Sequence, residues 1–288
     1  MVVSLVVIGC TETATPESDD DRAPSLSPTE TFYPVVPTEV RAESIGRSEP
    51  TSAALAAEGE PSLEPADIPE IPTLESLPLQ FFSQSGQIIE VMFYGASARP
   101  APGIALLQVA GEDHAWHDVA RQLQATGYEV FVTDLRGHVG QGASWEPLTA
   151  DVALVLQRYL ELGEIVNGRI VLVGAGNGAN LAIAACPTTP ACAGVVAISV
   201  RPDVPGLDLG LALETYTTQF VLLVSADDDL EGTVEADRLN SRMNTANVDH
   251  RWQRYTIGGQ GMQLLVNQPD LQLLIDAWLA ERLPVAAP

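Results

Sequence analysis

The chain has 288 residues, with 38 acidic residues against 14 basic ones and a formal net charge of −24. All 14 basic residues are arginine, which excludes chemistry that needs a lysine amine: a P-loop lysine, a Schiff base or a Ser-Lys dyad. The negative charge argues against a nucleic-acid partner, because the phosphate backbone would be repelled. Hydrophobic residues make up 46% of the chain, enough for a sizeable core.

Residues 1–10 form a short apolar run that ends in Val7-Ile8-Gly9-Cys10. This ending resembles the bacterial lipoprotein signal motif, in which the peptide is cut before a cysteine that then carries lipid. The run lacks a positively charged start and is too short to span a bilayer. The resemblance implies a lipid anchor at Cys10 and a place outside the cytoplasm, on the cell membrane or outer membrane; the alternative is an ordinary apolar N-terminus.

A proline-rich acidic segment follows, over residues 11–78. The first 78 residues carry 15 acids, 3 arginines and 11 of the 21 prolines, so they hold half of the net charge. Such a composition buries too little apolar surface to offset its ordering entropy, which predicts a disordered linker rather than a small folded domain. Self-repulsion and proline stiffness would hold the next domain, residues 79–288, away from a membrane.

After residue 78, apolar strands alternate with amphipathic helices. This alternation predicts an α/β fold: a mostly parallel sheet with an antiparallel N-terminal hairpin, helices on both faces and a minimal lid. Ligands of such sheets bind at the carboxyl ends of the strands. The predicted strands are 79–83, 88–94, 104–109, 129–133, 170–173, 195–199, 220–225 and 250–257, and the predicted helices are 116–126, 148–162, 177–185, 234–244 and 271–280.

Three motifs carry a resemblance to a known family. Residues 169–182 run from a strand through the turn Gly174-Ala175-Gly176-Asn177-Gly178 into a helix. Leu106-Leu107-Gln108-Val109-Ala110-Gly111 and Asp134-Leu135-Arg136-Gly137-His138 precede them. In this order the motifs resemble the α/β-hydrolase superfamily, most closely its dienelactone-hydrolase and serine-esterase branch, over residues 79–283.

The resemblance implies a catalytic triad of which one member remains. The family's turn reads G-x-S-x-G, and Gly176 stands at the position of the serine. Gln260, in the glycine-flanked stretch 256–262, stands at the position of the histidine, whereas Asp228 matches the acid. Glycine offers no nucleophile and glutamine cannot accept and return a proton. Glycine nevertheless suits a strained turn, so the fold does not need the serine.

The resemblance also places an oxyanion hole in the same region. Its backbone N–H donors would be those of Asn177 and of Val109 or Ala110. Gln108-Val109 replaces the family's usual His-Gly pair and puts a branched side chain near the pocket. Ser199 and Ser225 end strands nearby, and we expect them to satisfy backbone or carboxylate hydrogen bonds rather than to replace the nucleophile.

Two other interpretations of the same residues remain open. Gly174-x-Gly176-x-x-Ala179 after a strand also fits the dinucleotide fingerprint, although the next strand ends without an acid. The stretches 113–117 and 227–231 contain histidines and carboxylates, but neither has the spacing of a known metal site. We therefore expect neither a metal nor a cofactor.

Cys186 and Cys192 remain once Cys10 is assigned to lipid. They flank Pro187-Thr-Thr-Pro-Ala191 and are either a disulfide, in an oxidising compartment, or two buried thiols.

Taken together, the sequence predicts a membrane-anchored, catalytically degenerate hydrolase-like protein that binds a small molecule or a protein partner. The alternative is an active ester or dienelactone-type hydrolase that uses a displaced set of residues, with Asp228 orienting a water.

Overall fold

A computed structural model describes residues 76–109, 113–136, 138, 143–161 and 165–285. All of them belong to one compact unit, Asp67–Pro288. The predicted signal and most of the predicted linker lie outside the described residues. The first strand begins at Ser76, so residues 76–78, which we expected to end the linker, are part of the sheet.

Eight strands form a single sheet in the order β1-β2-β4-β3-β5-β6-β7-β8. The β1–β2 and β2–β4 pairs are antiparallel and all other neighbours are parallel, so only β2 runs against the rest. The strands are β1 Ser76–Phe82, β2 Ile88–Tyr94, β3 Ala101–Gln108, β4 Glu129–Asp134, β5 Ile165–Ala175, β6 Cys192–Ile198, β7 Phe220–Ala226 and β8 Asp249–Tyr255.

Seven α-helices lie among the described residues: α1 Asp113–Ala125, α2 Glu146–Glu161, α3 Asn177–Ala185, α4 Leu209–Glu214, α5 Leu230–Ala246, α6 Met262–Asn267 and α7 Pro269–Arg282. The sequence predicts five of them; α4 and α6 have six residues each and were missed. Between β6 and β7 the only helix is the short α4, in keeping with a minimal lid.

The sheet separates two apolar clusters. One packs α2, α3, α4 and α5 against one face, and the other packs α1, α6 and α7 against the opposite face. Strands covered on both faces must be apolar on both, which is why β3 and β7 are buried along their whole length. The predicted α/β architecture, with its antiparallel start and its helices on both faces, is confirmed.

A ring stack anchors α2 to the sheet. The rings of Tyr159 and Phe131 stack at 3.7 Å between centroids, and Phe93 continues the stack at 4.8 Å from Phe131. The Tyr159 hydroxyl shares a hydrogen bond of 2.7 Å with Thr133 Oγ1, which satisfies the one polar atom of a fully buried ring. Complete burial raises the pKa of Tyr159 far above its ordinary value, so the phenol stays neutral.

A disulfide joins Cys186, directly after α3, to Cys192, the first residue of β6, with the two Cα atoms 5.2 Å apart. The loop between them is held further by the Thr189 hydroxyl, which donates to the carbonyl of Ala185, and by the amide of Cys192, which donates to Thr189. The cross-link therefore fixes the connection between α3 and β6.

None of the helices within the described ranges combines the length and the apolarity needed to cross a membrane.

Candidate functional site

The turn between β5 and α3 has the shape of a nucleophile elbow. Gly176 adopts φ 56° and ψ −125°, a conformation that strains any residue with a side chain. Its amide donates to the carbonyl of Ile198 at 2.9 Å, and its carbonyl accepts from Ala179 at 3.0 Å. A β-carbon placed on Gly176 would meet no atom within 4 Å. The turn thus has the backbone and the free space for a nucleophile, but glycine supplies none.

The flanking glycines have a different role, which is close packing. A β-carbon on Gly174 would lie 2.2 Å from the carbonyl oxygen of Gly178, and one on Gly178 would lie 2.9 Å from the carbonyl oxygen of Leu107. Both distances are well inside van der Waals contact. Glycine at these two positions lets the first turn of α3 approach β5 and β3, and this approach shapes the elbow.

Asp228, which the resemblance matches to the acid of the triad, binds the backbone of a neighbouring loop. Asp228 follows β7, and its carboxylate accepts hydrogen bonds from the amides of Gly258 and Gly259, each at 3.0 Å. These two bonds hold the pKa of Asp228 below its ordinary value of 3.8, because they stabilise the charged form. The carboxylate is exposed, so it also reaches solvent.

Gln260 comes directly after the two glycines that Asp228 binds. Its side chain is exposed, and its backbone carbonyl accepts a hydrogen bond from the backbone amide of Gln263 at 3.0 Å. The backbone then turns through Gly261, at φ 56° and ψ −131°, into α6. The structure therefore places Asp228 in contact with the loop that contains Gln260, and the side chain at position 260 is an amide.

The expected oxyanion donors lie partly within the described residues. Asn177 is the first residue of α3, where a backbone N–H has no partner within the helix. Val109 follows β3, and its Cγ2 atom would be 3.4 Å from a β-carbon on Gly178. The branched side chain of Val109 thus borders the first turn of α3. Ala110, the other candidate, lies outside the described residues.

A buried polar network beside the elbow escaped the sequence analysis. Ser199, at the end of β6, is fully buried at φ 53°, and its hydroxyl donates to Asp229 Oδ2 at 2.5 Å. Arg201 Nη1 binds the other oxygen of Asp229 at 3.1 Å. The side-chain amide of Asn180, in α3, donates to the backbone carbonyl of Arg201 and accepts from its backbone amide. The network ties the carboxyl ends of β6 and β7 to α3.

The sequence predicted a backbone or carboxylate partner for Ser199 without identifying it, and the structure shows that the partner is Asp229. The position of Asp229, directly before an amphipathic helix, indicates an N-cap, because aspartate is common there. In the structure its carboxylate accepts a hydrogen bond from the amide of Gly232 at the start of α5. Asp229 also reaches the end of β6, where the dinucleotide interpretation needs an acid. Its two oxygens are occupied there by Ser199 and Arg201.

Three histidine side chains are described, and each has an assigned partner. His117 Nδ1 lies 2.7 Å from the Tyr94 hydroxyl, and His138 Nε2 lies 3.1 Å from the carbonyl of Ile88. His250, at the start of β8, contacts the carbonyl of Val248 and the side chain of Asn240. His250 is thus at the end of the strand opposite to the loop of Gln260. The side chain of His114 is outside the described part of the chain.

The acidic stretch 227–231 is occupied by structural contacts. Asp227 pairs with Arg254, and Glu231 Oε2 pairs with Arg201 Nη2 at 2.5 Å, whereas Asp228 and Asp229 hold backbone amides. Within the described ranges, histidine, cysteine and acidic side chains form no group of three or more that could hold a metal.

A cavity of about 360 Å³ lies across β1 and β2 and the carboxyl ends of β3 and β4. Its polar lining includes Gln108, His117 and an ion pair between Asp134 and Arg136, and its apolar lining includes Met92. The Arg136 guanidinium and amide hold the pKa of Asp134 below its ordinary value despite partial burial. The volume is in the range of small-molecule sites.

Comparisons with known proteins identify the fold. No family model matches the sequence, and no curated protein matches it either. Among solved structures, a putative dienelactone hydrolase from Klebsiella pneumoniae superposes with a TM-score of 0.58 at 14% identity, covering 73% of this chain and 98% of that one. A dienelactone hydrolase from Anabaena variabilis gives a TM-score of 0.54 at 16% identity, over 72% and 99% of the two chains.

Two larger proteins match as well. An acylaminoacyl peptidase from Pyrococcus horikoshii gives a TM-score of 0.61 at 10% identity, covering 74% of this chain and 42% of that one. Dipeptidyl peptidase 4 from Porphyromonas gingivalis gives 0.58 at 13% identity, covering 72% and 35%. This chain thus spans less than half of the length of the two peptidases and nearly all of the dienelactone hydrolases. From these likenesses and the strand order, the chain has the α/β-hydrolase fold.

Proposed function

We propose that this protein is a catalytically degenerate α/β-hydrolase-fold protein that binds a small ligand at the carboxyl ends of its strands. The observation that carries the proposal is Gly176: the elbow keeps its strained backbone and its free space, yet it has no hydroxyl. Hydrolysis through an acyl intermediate needs a nucleophile at this point, and a backbone turn alone cannot replace it.

The second support for the proposal is the missing base. A triad base must take a proton from the nucleophile and return it to the leaving group, which an amide cannot do near neutral pH. Gln260 has the position of that base, and the three described histidines contact other groups. Asp228 therefore acts on the loop rather than on an imidazole.

The proposed ligand site is the cavity beside β3 and β4. Acidic and basic side chains and an apolar strand face line this cavity. Such a lining suits a small amphipathic molecule rather than a highly charged one. In this function the elbow serves as scaffold, and the ligand is bound without covalent change.

The test is an activity assay on matched proteins. The native chain, Gly176→Ser, Gln260→His and the Gly176→Ser/Gln260→His double variant are assayed with chromogenic short-chain esters and with a serine-reactive phosphonate. We expect no turnover and no labelling of the native chain, and slow turnover by the double variant alone. Clear labelling or turnover by the native chain would refute the proposal and support a displaced catalytic set. If the double variant stays inactive, the ligand-binding assignment is tested by soaking the cavity with small amphipathic molecules in crystals.

We further propose that the protein is anchored outside the cytoplasm by lipid on Cys10. Val7-Ile8-Gly9-Cys10 supports this, as does the Cys186–Cys192 disulfide, because such bonds persist in oxidising compartments. Growth with an alkyne fatty acid, followed by coupling to a fluorophore, tests it in a bacterial host. We expect label on the native chain and none on Cys10→Ser; a labelled Cys10→Ser or an unlabelled native chain would refute the anchor.

A further inference from the structure

A groove on the α2 side of the domain lies apart from the elbow and has an unusual lining. It encloses about 700 Å³ between α2 and the loop closed by the disulfide. One wall is a stripe of α2 from Thr149 to Leu160, the other is the loop stretch 188–191, and Gln84 borders it from the β1–β2 turn. None of the eleven lining residues is charged, in a chain whose net charge is −24.

The missing charge restricts what can bind there. An ionic group in the groove would lose water contacts and gain no partner of opposite charge, which costs free energy. The contact surface consists of small apolar groups, chiefly the side chains of Ala150, Ala153, Leu154 and Ala191, with amide and hydroxyl groups around them. The lining therefore favours an uncharged, apolar ligand.

The shape of the groove is elongated. Thr149 and Leu160 are eleven positions apart on one helix, which corresponds to about 16 Å at the α-helical rise. Ala150 and Ala153 on this stripe are small, so they leave room along the helix surface. An extended chain of methylene groups fits such a space better than a compact molecule does.

Both walls of the groove are held in place without a ligand. The disulfide and the Thr189 hydroxyl fix the loop, and the amide of Ile170 binds the carbonyl of Ala191 at 2.9 Å. On the other side, the buried carboxylate of Asp151 accepts from the amide of Gln84 at 2.9 Å, which ties α2 to the hairpin turn. A site that is already formed binds its ligand without the entropy cost of ordering it.

We propose that this groove binds the aliphatic chain of a single-chain amphiphile, and that it is independent of the turn at Gly176. The chain lies along α2 against the disulfide-closed loop, and the head group remains in solvent at an end of the groove. This site would function equally in an active or an inactive hydrolase.

The test uses the full chain and decyl maltoside below its critical micelle concentration, with maltose as the head-group control. Calorimetric titration is expected to give micromolar binding of decyl maltoside with a negative heat-capacity change, and no binding of maltose. Ala153→Phe fills the groove and should weaken binding about tenfold or more. Ala277→Phe makes the same change on the exposed side of α7 and should leave binding unchanged.

Several results would overturn the proposal. They are no binding of decyl maltoside, equal binding of maltose, or unchanged binding by Ala153→Phe, which would place the chain elsewhere. If Ala153→Phe unfolds, Leu154→Asn replaces it as the test variant. Leu154 is only partly buried, and the side-chain amide of the introduced asparagine would disfavour a methylene chain. Sedimentation of the native chain identifies the remaining case: self-association that Ala153→Phe abolishes would make the occupant a second copy instead.

Discussion

The amide of Gly259 lies 3.0 Å from Oδ1 and 3.1 Å from Oδ2 of Asp228, so a single carboxylate binds the backbone of the loop that contains Gln260. The same carboxylate also binds the amide of Gly258. The Asp228 carboxylate thus orders the backbone of this loop. This role needs no histidine beside Asp228.

Asp228→Asn is expected to loosen the loop, because the amide has one acceptor oxygen and no charge. Hydrogen exchange at Gly258 and Gly259 should become several-fold faster, while exchange in β7 stays unchanged. Asp227→Asn is the control, since that carboxylate pairs with Arg254 instead. Equal exchange in Asp228→Asn and the native chain would contradict the assignment.

The same carboxylate predicts a pH dependence of the loop. The pKa of Asp228 is lower in the folded chain than its ordinary value of 3.8, so its stabilising effect is complete above that value. The effect is lost as the pH falls through the folded-state pKa. Protection factors at Gly258 and Gly259, corrected for intrinsic exchange, should decrease on acidification below 3.8 in the native chain but not in Asp228→Asn.

The two elbow glycines should differ in their tolerance of a methyl group. Gly176→Ala adds a β-carbon in open space and costs only backbone strain, about 1–2 kcal/mol. Gly174→Ala forces a β-carbon to 2.2 Å from the carbonyl of Gly178, and we expect a loss of about 3 kcal/mol. Urea unfolding measures both values. Equal losses would mean that the approach of α3 to β5 does not depend on Gly174.

The disulfide closes a short loop, so its contribution to the free energy of unfolding should be modest. Cys186→Ala/Cys192→Ala is expected to lower the free energy of unfolding by about 2 kcal/mol. A reducing agent should lower the melting temperature of the native chain by an amount that corresponds to the same loss of unfolding free energy, and it should leave the melting temperature of the variant unchanged. Titration of free thiols in the unfolded, unreduced chain that finds both Cys186 and Cys192 free would show that the bond does not form in solution.

Ser199 combines a hydrogen bond with backbone strain, and two substitutions separate them. Ser199→Ala removes a donor from the buried carboxylate of Asp229 and should cost about 1–3 kcal/mol. Ser199→Gly removes the same donor but relieves the strain at φ 53°, so it should be more stable than Ser199→Ala by about 1 kcal/mol. Chemical denaturation of both variants gives the difference, and a reversed order would exclude strain at this residue.

Local pattern was sufficient for most elements of the fold. The glycine turn before residue 177 and the proline at 187 delimit α3, and the structure has it at Asn177–Ala185 as predicted. α4 and α6 were missed because six residues are under two turns, too short for apolar periodicity to appear. Their stability comes from packing on the neighbouring elements, which no local pattern encodes.

The candidate site divides in the same way. Gly176, Asp228 and Gln260 were predicted as site positions because each lies in a recognisable local motif. The contact between Ser199 and Asp229 joins residues thirty positions apart, and it exists only because β6 and β7 are neighbours in the sheet. The positive φ of Ser199 could not be predicted either, since serine carries no backbone preference for it.

The strand order determines which strands could pair with another protein molecule. β1 and β8 are the two outer strands, and an outer strand offers unpaired backbone groups to any incoming strand. β1 contains Pro78, which has no N–H to donate, and β8 exposes Arg251 and Arg254 along its edge. Proline and exposed charge on outer strands disfavour the addition of another strand, so these residues reduce edge-to-edge aggregation of a sheet whose inner strands are almost wholly apolar.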